Sequence, residues 1–482
     1  MDDRYASKTG TEKDKYLFSK QIMIRVVKYY SAAMTVKTAA KQYQYTEFTF
    51  DDGNKLPAGT FTGHLFTVFD CYNKADTGFA AAGFQDKDTN GRPISGIFHL
   101  NLNAINPSPK NALAHYGTFV HEFYHILTFN KDLFGSFIDG AGNAIGSTNI
   151  IGTDGSRSTY KFAGDVLTFA KSHLGDNSLT AVTLENGGGA GSANSHWEYD
   201  YWPNDFMSPI DTLPSLLSPL SLYMSKDSGW YGVNDNYADP LIYGKNAGAN
   251  FQSTASCPGD RNPQPLGFCA TGDKGKSFCS PDGMYKGVCG SDDTYNADGK
   301  CPFIMGTLYC TVPSSDYTGQ VNYDVEIIGA GSRCAAVKSS SGYTTACATT
   351  TCSGGSVTYT FVGSKTCTCT SGEAGSEKSC GGLTVKCPDA TSLGLLCDSL
   401  DSSKQKCPND CSGKGFCLGL TAGTKQCWCT YGWMGTDCST ANSDEPELTS
   451  VGKSTTPNKK NANIKAIGFY IGALVMILTS FI

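Results

Sequence analysis

Ala112-Leu-Ala-His-Tyr-Gly-Thr-Phe-Val-His-Glu-Phe-Tyr-His-Ile-Leu127 is an almost unbroken apolar stretch that nevertheless carries three histidines and a glutamate. Ser108 and Pro109 stand before it as N-cap and first helical residue, so a helix is expected to start there and to run to Phe129, with Gly117 a weak breaker. His121 and His125 lie four residues apart, just over one turn, and therefore project from one face. Together with Glu122 they fit H-E-x-x-H, in which the imidazoles chelate one ion and the carboxylate accepts a proton from water. Two adjacent polar rings on an apolar helix need partners, and a single ion satisfies both. A reactive metal site needs a third protein ligand and an open position. His64, His99 and His115 precede the motif, His115 off its helical face and the other two in strand-like runs; His173 and His196 follow it.

Working outward, residues 15–35 repeat apolar side chains (Tyr16, Leu17, Ile22, Met23, Val26, Val27, Tyr30) near helical period and predict a first long helix over a sheet. Gly63–Asp70 and Pro93–Asn101 read as neighbouring strands, separated by the Gly- and Asp-rich stretch 86–91. Beyond the motif come Gly-rich loops between Gly135 and Gly155, a shorter helix near Tyr160–His173 and the cluster Gly187-Gly-Gly189. Leu213–Met224 adds helical turns whose length Pro214 and Pro219 limit. The fold class expected is α+β, a helix-backed sheet plus a helix bearing the candidate site.

Cysteine divides the chain. Of 21, 20 lie between Cys257 and Cys438, and only Cys71 precedes them. Such density points to disulfides and an oxidising compartment, because the short spacings Cys367-Thr-Cys369 and Cys427-Trp-Cys429 are not C-x2-C zinc knuckles. The expected units are 1–130 with the motif helix, 131–256 as a central subdomain, 257–400 as a disulfide-rich, strand-rich domain, 401–440 as a small module, 441–465 as a linker and 466–482 as an apolar tail. Cys407, Cys411, Cys417, Cys427, Cys429 and Cys438, with Gly432, Trp433 and Gly435, resemble an EGF-like module. That resemblance implies the pairs Cys407–Cys417, Cys411–Cys427 and Cys429–Cys438. The fourteen cysteines between are even in number, which leaves Cys71 as the odd one.

The net charge of -6 with scattered Lys and Arg excludes a basic surface for nucleic acid. Ala466–Ile482 is a 17-residue apolar and small-residue run after Lys459, Lys460 and Lys465. It is read as a glycolipid-attachment signal in preference to a transmembrane anchor, with Gly452, Ser454 or Thr455 as attachment site and Thr456–Lys465 as spacer. The polar start at Met1, with no apolar segment directly after it, is read as a truncated N-terminus.

The context of His196 singles it out: Leu184-Glu-Asn-Gly-Gly-Gly-Ala-Gly-Ser-Ala-Asn-Ser-His196-Trp197-Glu198, then Asp205-Phe-Met207-Ser-Pro209. This resembles leishmanolysin, a metzincin family in which H-E-x-x-H is followed, after a long insertion, by a third histidine and a methionine turn. Arg92-Pro-Ile-Ser-Gly96, Phe169-Ala-Lys-Ser-His173-Leu and Leu220–Tyr231 extend the likeness, which covers roughly residues 20–400. The resemblance implies a metzincin-type Zn2+ endopeptidase with ligands His121, His125 and His196, Glu122 as general base, Met207 as an apolar floor and His173 as structural. It implies polypeptide substrates, a cell-surface or extracellular, membrane-associated setting, and a prosegment that is not visible here. Cysteines usual near residues 84–85 and 99–100 and after the His173 segment are missing. Thr128 replaces the glycine at which metzincin helices turn; a β-branched residue resists positive φ, so the helix is expected to run on to Asn130. Thr128 and the EGF-like spacing also motivate a rival expectation, an inactive adhesion protein on the same fold. Oligomeric state and substrate preference leave no trace in the sequence.

Overall fold

The computed structural model describes residues 10–400 apart from 51–52, 76–77, 108–111, 188, 190, 211–215, 253–255, 263, 292–300, 311–320, 323, 330 and 341. Beyond residue 400 it describes parts of 409–442, and 474–477. Ser108, Pro109, Cys407, Cys411, the 443–465 spacer and most of the apolar tail lie outside these residues.

The first long helix, α1 (Thr11–Ala33), buries Tyr16, Phe18, Ile22, Met23, Val26, Tyr29, Tyr30 and Ala33, the stripe that three- and four-residue spacing dictates. It lies against a sheet in which β1 (Phe66–Tyr72) runs parallel to β3 (Ser95–Asn101), and β3 pairs antiparallel with β2 (Ala80–Phe84) at the edge. The side chains of Phe66–Cys71 are all buried, as suits a strand covered on both faces. One cover is an aromatic cluster in which Tyr43, Tyr45, Phe48 and Phe61, from strands between residues 41 and 63, pack on Phe66 of β1. The other is α2 (Ala112–Leu127), whose Phe119 meets Phe69 and Phe98 at 6.1 and 5.2 Å.

Two contacts fix α2. Tyr30 of α1 stacks on Tyr124 and donates its hydroxyl hydrogen to the Val120 carbonyl at 2.7 Å. On the sheet side the helix comes so near β3 that a Cβ on Gly96 would sit 2.5 Å from Ile126 Cγ2. This close approach is a physical reason for the glycine in Arg92-Pro-Ile-Ser-Gly96.

After α2 the strands Ile151–Asp154 and Arg157–Tyr160 form a hairpin to which Val182–Thr183 adds. Helix α3 (Asp165–Leu174) has no capping side chain of its own; Asp227, at the end of α4 (Pro219–Asp227), accepts from the Asp165 and Val166 amides at 2.6 and 3.2 Å. Pro219 opens α4 at the first helical position behind the N-cap Ser218, so the proline that limits the apolar run also starts its helix.

The region from Cys257 is rich in strands and cysteine. Fourteen cysteines form seven disulfides: 257–301, 269–289, 279–334, 310–347, 352–397, 367–380 and 369–387. A further disulfide joins Cys429 to Cys438. Cys71 is buried on β1. A three-stranded sheet (Ser277–Cys279, Tyr285–Gly290, Phe303–Tyr309) packs on the main core through Phe268, Tyr285, Phe303 and Ile304. A six-stranded sheet then builds a second core of small apolar side chains and half-cystines.

Among the described residues no helix is long and apolar enough to cross a membrane. Of the 466–482 run, Leu474–Ile477 are a strand pairing antiparallel with β1. The fold is a mixed α/β arrangement followed by a disulfide-rich, strand-rich region.

Replacing Gly96 by alanine should force α2 off the sheet and lower the unfolding free energy by about 1–3 kcal/mol. An unchanged urea midpoint in Gly96→Ala would contradict this packing.

Candidate metal centre

His121 and His125 leave the same face of α2, and His196 arrives on the loop between Val182–Thr183 and Met207. Their Nε2 atoms converge: 121 to 125 at 3.1 Å, 125 to 196 at 3.2 Å and 121 to 196 at 3.1 Å. No other histidine joins them. His173 bonds the Tyr243 carbonyl at 2.8 Å and stacks on Phe169, His115 stacks on Phe79, and His99 faces Asp70.

Each ring is oriented from behind by a main-chain oxygen. Nδ1 of His121 meets the Phe206 carbonyl at 2.5 Å, that of His125 the Phe129 carbonyl at 2.6 Å, and that of His196 the Ser192 carbonyl at 2.9 Å. A carbonyl can only accept, so each Nδ1 carries the hydrogen. Burial pushes His121 down to about 3, with His125 nearby adding to the effect, and burial brings His125 to about 4. His196 is held well below its ordinary value by burial and by the other two rings. The imidazoles are neutral, their one hydrogen is on Nδ1, and each Nε2 presents a bare lone pair. Three lone pairs about 3 Å apart with no hydrogen between them repel unless a cation sits among them. A tetrahedral ion with bonds of about 2.0–2.1 Å spaces its nitrogens about 3.3–3.4 Å apart, close to this arrangement. The residues fit a metal ion, and the three histidines are the group among the described residues able to hold one.

Glu122 follows His121 on α2 and is not one of the three converging side chains. Burial pushes its carboxyl up to about 8, against a hydrogen bond from the Ala82 backbone on edge strand β2. It is next in the chain to His121 and faces the sheet edge.

Two local structures deliver His196. The Glu185 amide donates to the His196 carbonyl at 2.9 Å and the Asn194 amide to the Glu185 carbonyl at 2.8 Å. The Glu185 carboxylate takes the Gly187 and Tyr199 amides at 2.5 and 3.2 Å, closing the glycine-rich loop at both ends. The Trp197 amide donates to the Met207 carbonyl at 3.0 Å, and Met207 is fully buried with its own amide on Asp205 at 2.7 Å.

The helix does not run to Asn130. α2 ends at Leu127, and Asn130 is extended (φ -141°), capping the next turn through its side chain. Thr128 is not among the residues of positive φ; its amide still reaches the Tyr124 carbonyl and its hydroxyl lies 2.9 Å from Ser225 Oγ. The turn that glycine would make by backbone freedom is made here by a side-chain bond and a new cap.

Sequence reasoning brings together His121, His125, His196 and Glu122, and the structure assembles those three histidines. It missed the three carbonyls, since any residue can supply one, and it missed Asp205, Ser221 and Ser225. The serines had a signal, the spacing Ser218-x-x-Ser221-x-x-x-Ser225 among apolar neighbours, whereas Asp205 had none.

The sequence pattern of the leishmanolysin family (peptidase M8) matches residues 11–298. The ciliated left-right organizer metallopeptidase of Xenopus laevis is 30% identical over 220 residues, 44% of this chain and 30% of that protein. The leishmanolysin-like peptidase of Drosophila melanogaster is 27% identical over 203 residues, 36% and 30% of the two chains. The leishmanolysin homolog of Crithidia fasciculata is 27% identical over 187 residues, 38% and 26%. The chain spans less than half the length of these curated relatives. With the family pattern running through α1, the paired histidines of α2, the loop of His196 and on past Cys289, the chain belongs to the leishmanolysin family of metallopeptidases.

Proposed function

We propose that the chain is a zinc-dependent endopeptidase of metzincin type, with His121, His125 and His196 as ligands and Glu122 as general base. The observation that carries this reading is the convergence of three bare Nε2 atoms, with Glu122 next to His121 on the same helix. Three neutral imidazoles, with no fourth protein ligand among the described residues, suit zinc in a reactive site, where one position stays open. Zinc, when bound there, supplies Lewis acidity that polarises a carbonyl and eases deprotonation of water.

The chain's own residues do the rest. Glu122 takes the proton from the attacking water and returns it to the leaving amine, the part of a carboxylate general base in H-E-x-x-H. The three backbone carbonyls keep the imidazoles in one tautomer throughout. Strand β2, at the sheet edge beside Glu122, offers a rail on which an extended polypeptide can lie, which favours cleavage within a chain over trimming at its end.

Seven disulfides between residues 257 and 400 support an extracellular or cell-surface setting. The EGF-like spacing at 407–438 and the apolar tail, as glycolipid signal, belong to the same reading.

With quenched casein as substrate, the full chain should cleave at neutral pH, lose activity to a chelator and regain it with zinc. Glu122→Ala should keep zinc while kcat falls about 10²–10⁴-fold; cleavage at the parent rate in that variant would sink the assignment. A zinc-loaded but inert parent chain whose surface binding survives chelation would favour the adhesion reading instead. His196→Ala should reduce zinc stoichiometry from one to near zero at micromolar metal, measured by equilibrium dialysis; full retention would remove His196 from the ligand set.

A further inference from the structure

Helix α4 carries three serines, Ser218, Ser221 and Ser225, whose spacing of three and four residues puts them on one face. All three are fully buried. A buried hydroxyl is costly unless bonded, and alanine would fill such a face without that demand. Each of the three is bonded, and the bonds reach every segment that carries a ligand.

Towards α2, Ser225 Oγ lies 2.7 Å from the Tyr124 hydroxyl and 2.9 Å from Thr128 Oγ1, and Tyr124 also donates to the Ser221 carbonyl at 2.5 Å. Tyr124 immediately precedes His125, and Thr128 immediately precedes Phe129, whose carbonyl holds His125 Nδ1. Towards the His196 loop, Ser221 Oγ accepts from Trp197 Nε1 at 2.8 Å. Towards the methionine-bearing turn, Ser221 Oγ donates to Asp205 Oδ1 at 2.6 Å and Ser218 Oγ donates to Asp205 Oδ2, while Asp205 also accepts the Met207 amide. Between Asp205 and Met207 stands Phe206, whose carbonyl orients His121.

We propose that the serine face of α4, with Asp205 and Thr128, is the positioning device that registers the three metal-binding histidines against one another. Each ligand is one covalent step from a group this face holds, or is held by a carbonyl one step away. Thr128 is part of the device: its hydroxyl ties the end of α2 to α4 in place of a glycine turn. The inference rests on the zinc reading of the triad and adds to it residues that touch neither metal nor substrate.

The test uses the full chain, with zinc affinity read by competition against a chromophoric chelator, the visible spectrum of the cobalt(II)-loaded protein, and the urea midpoint of the metal-free protein. Ser221→Ala and Thr128→Val should each weaken zinc binding about 10- to 100-fold and alter the cobalt bands. Thr128→Ser, which keeps the hydroxyl, should restore both to parent values. If Ser221→Ala does not fold, the Thr128→Val and Thr128→Ser pair decides, since valine conserves shape. Parent-like zinc affinity and cobalt bands in Thr128→Val, with only the urea midpoint lowered, would overturn the proposal by showing that these bonds serve stability alone. Equal zinc binding by the parent and His125→Ala would reject the metal site itself, and the positioning role with it.

Discussion

Three hydrogen bonds from imidazole Nδ1 to main-chain carbonyls decide what the centre of this molecule can be. They place the single hydrogen of each neutral ring away from the middle and leave three lone pairs about 3 Å apart. Among the described residues no side chain is shown to neutralise that repulsion, so the arrangement is complementary to a cation. Much of the surrounding architecture serves to keep those carbonyls where they are. Phe129 is held at the end of α2, Ser192 in a loop closed by Glu185, and Phe206 in the turn governed by Asp205.

Such a centre is expensive. His125, His196, Glu185, Glu198 and Asp205 are buried and His121 is half-buried, and the loss of solvent raises every one of these carboxyls while lowering every one of these imidazoles. The compensation is a dense set of amide and hydroxyl donors together with one large aromatic core. Tyr30, Tyr124, Trp197 and Phe206 contribute ring faces and edges to it, and Phe303 joins it from the disulfide-rich region. Helix α2 therefore sits inside a core continuous past Cys257, and its geometry depends on residues distant in sequence.

The sequence made much of this legible because two periodicities are strong. H-E-x-x-H on an apolar helix and the helical repeat of residues 15–35 carry their own geometry, whereas Gly63–Asp70 and Pro93–Asn101 read only as neighbouring strands, their parallel pairing coming from the structure. His196 was legible only through the resemblance of its context, since a single histidine 71 residues beyond His125 has no periodic relation to it. Asp205 enters only as part of the stretch around Met207, and the spacing of the α4 serines does not name its partners, because these lie on other elements. Thr128 misled for a physical reason: the expectation weighed backbone freedom alone, whereas the Ser225 bond and the Asn130 cap turn the chain without positive φ. Backbone carbonyls escape sequence reading altogether, since every residue has one.

The most direct measurement is X-ray absorption at the zinc edge of the full chain loaded with one equivalent of metal. The account predicts three nitrogen scatterers with imidazole outer shells and one oxygen, all at about 2.0–2.1 Å. Sulfur scattering at about 2.3 Å, or fewer than three imidazoles, would contradict it.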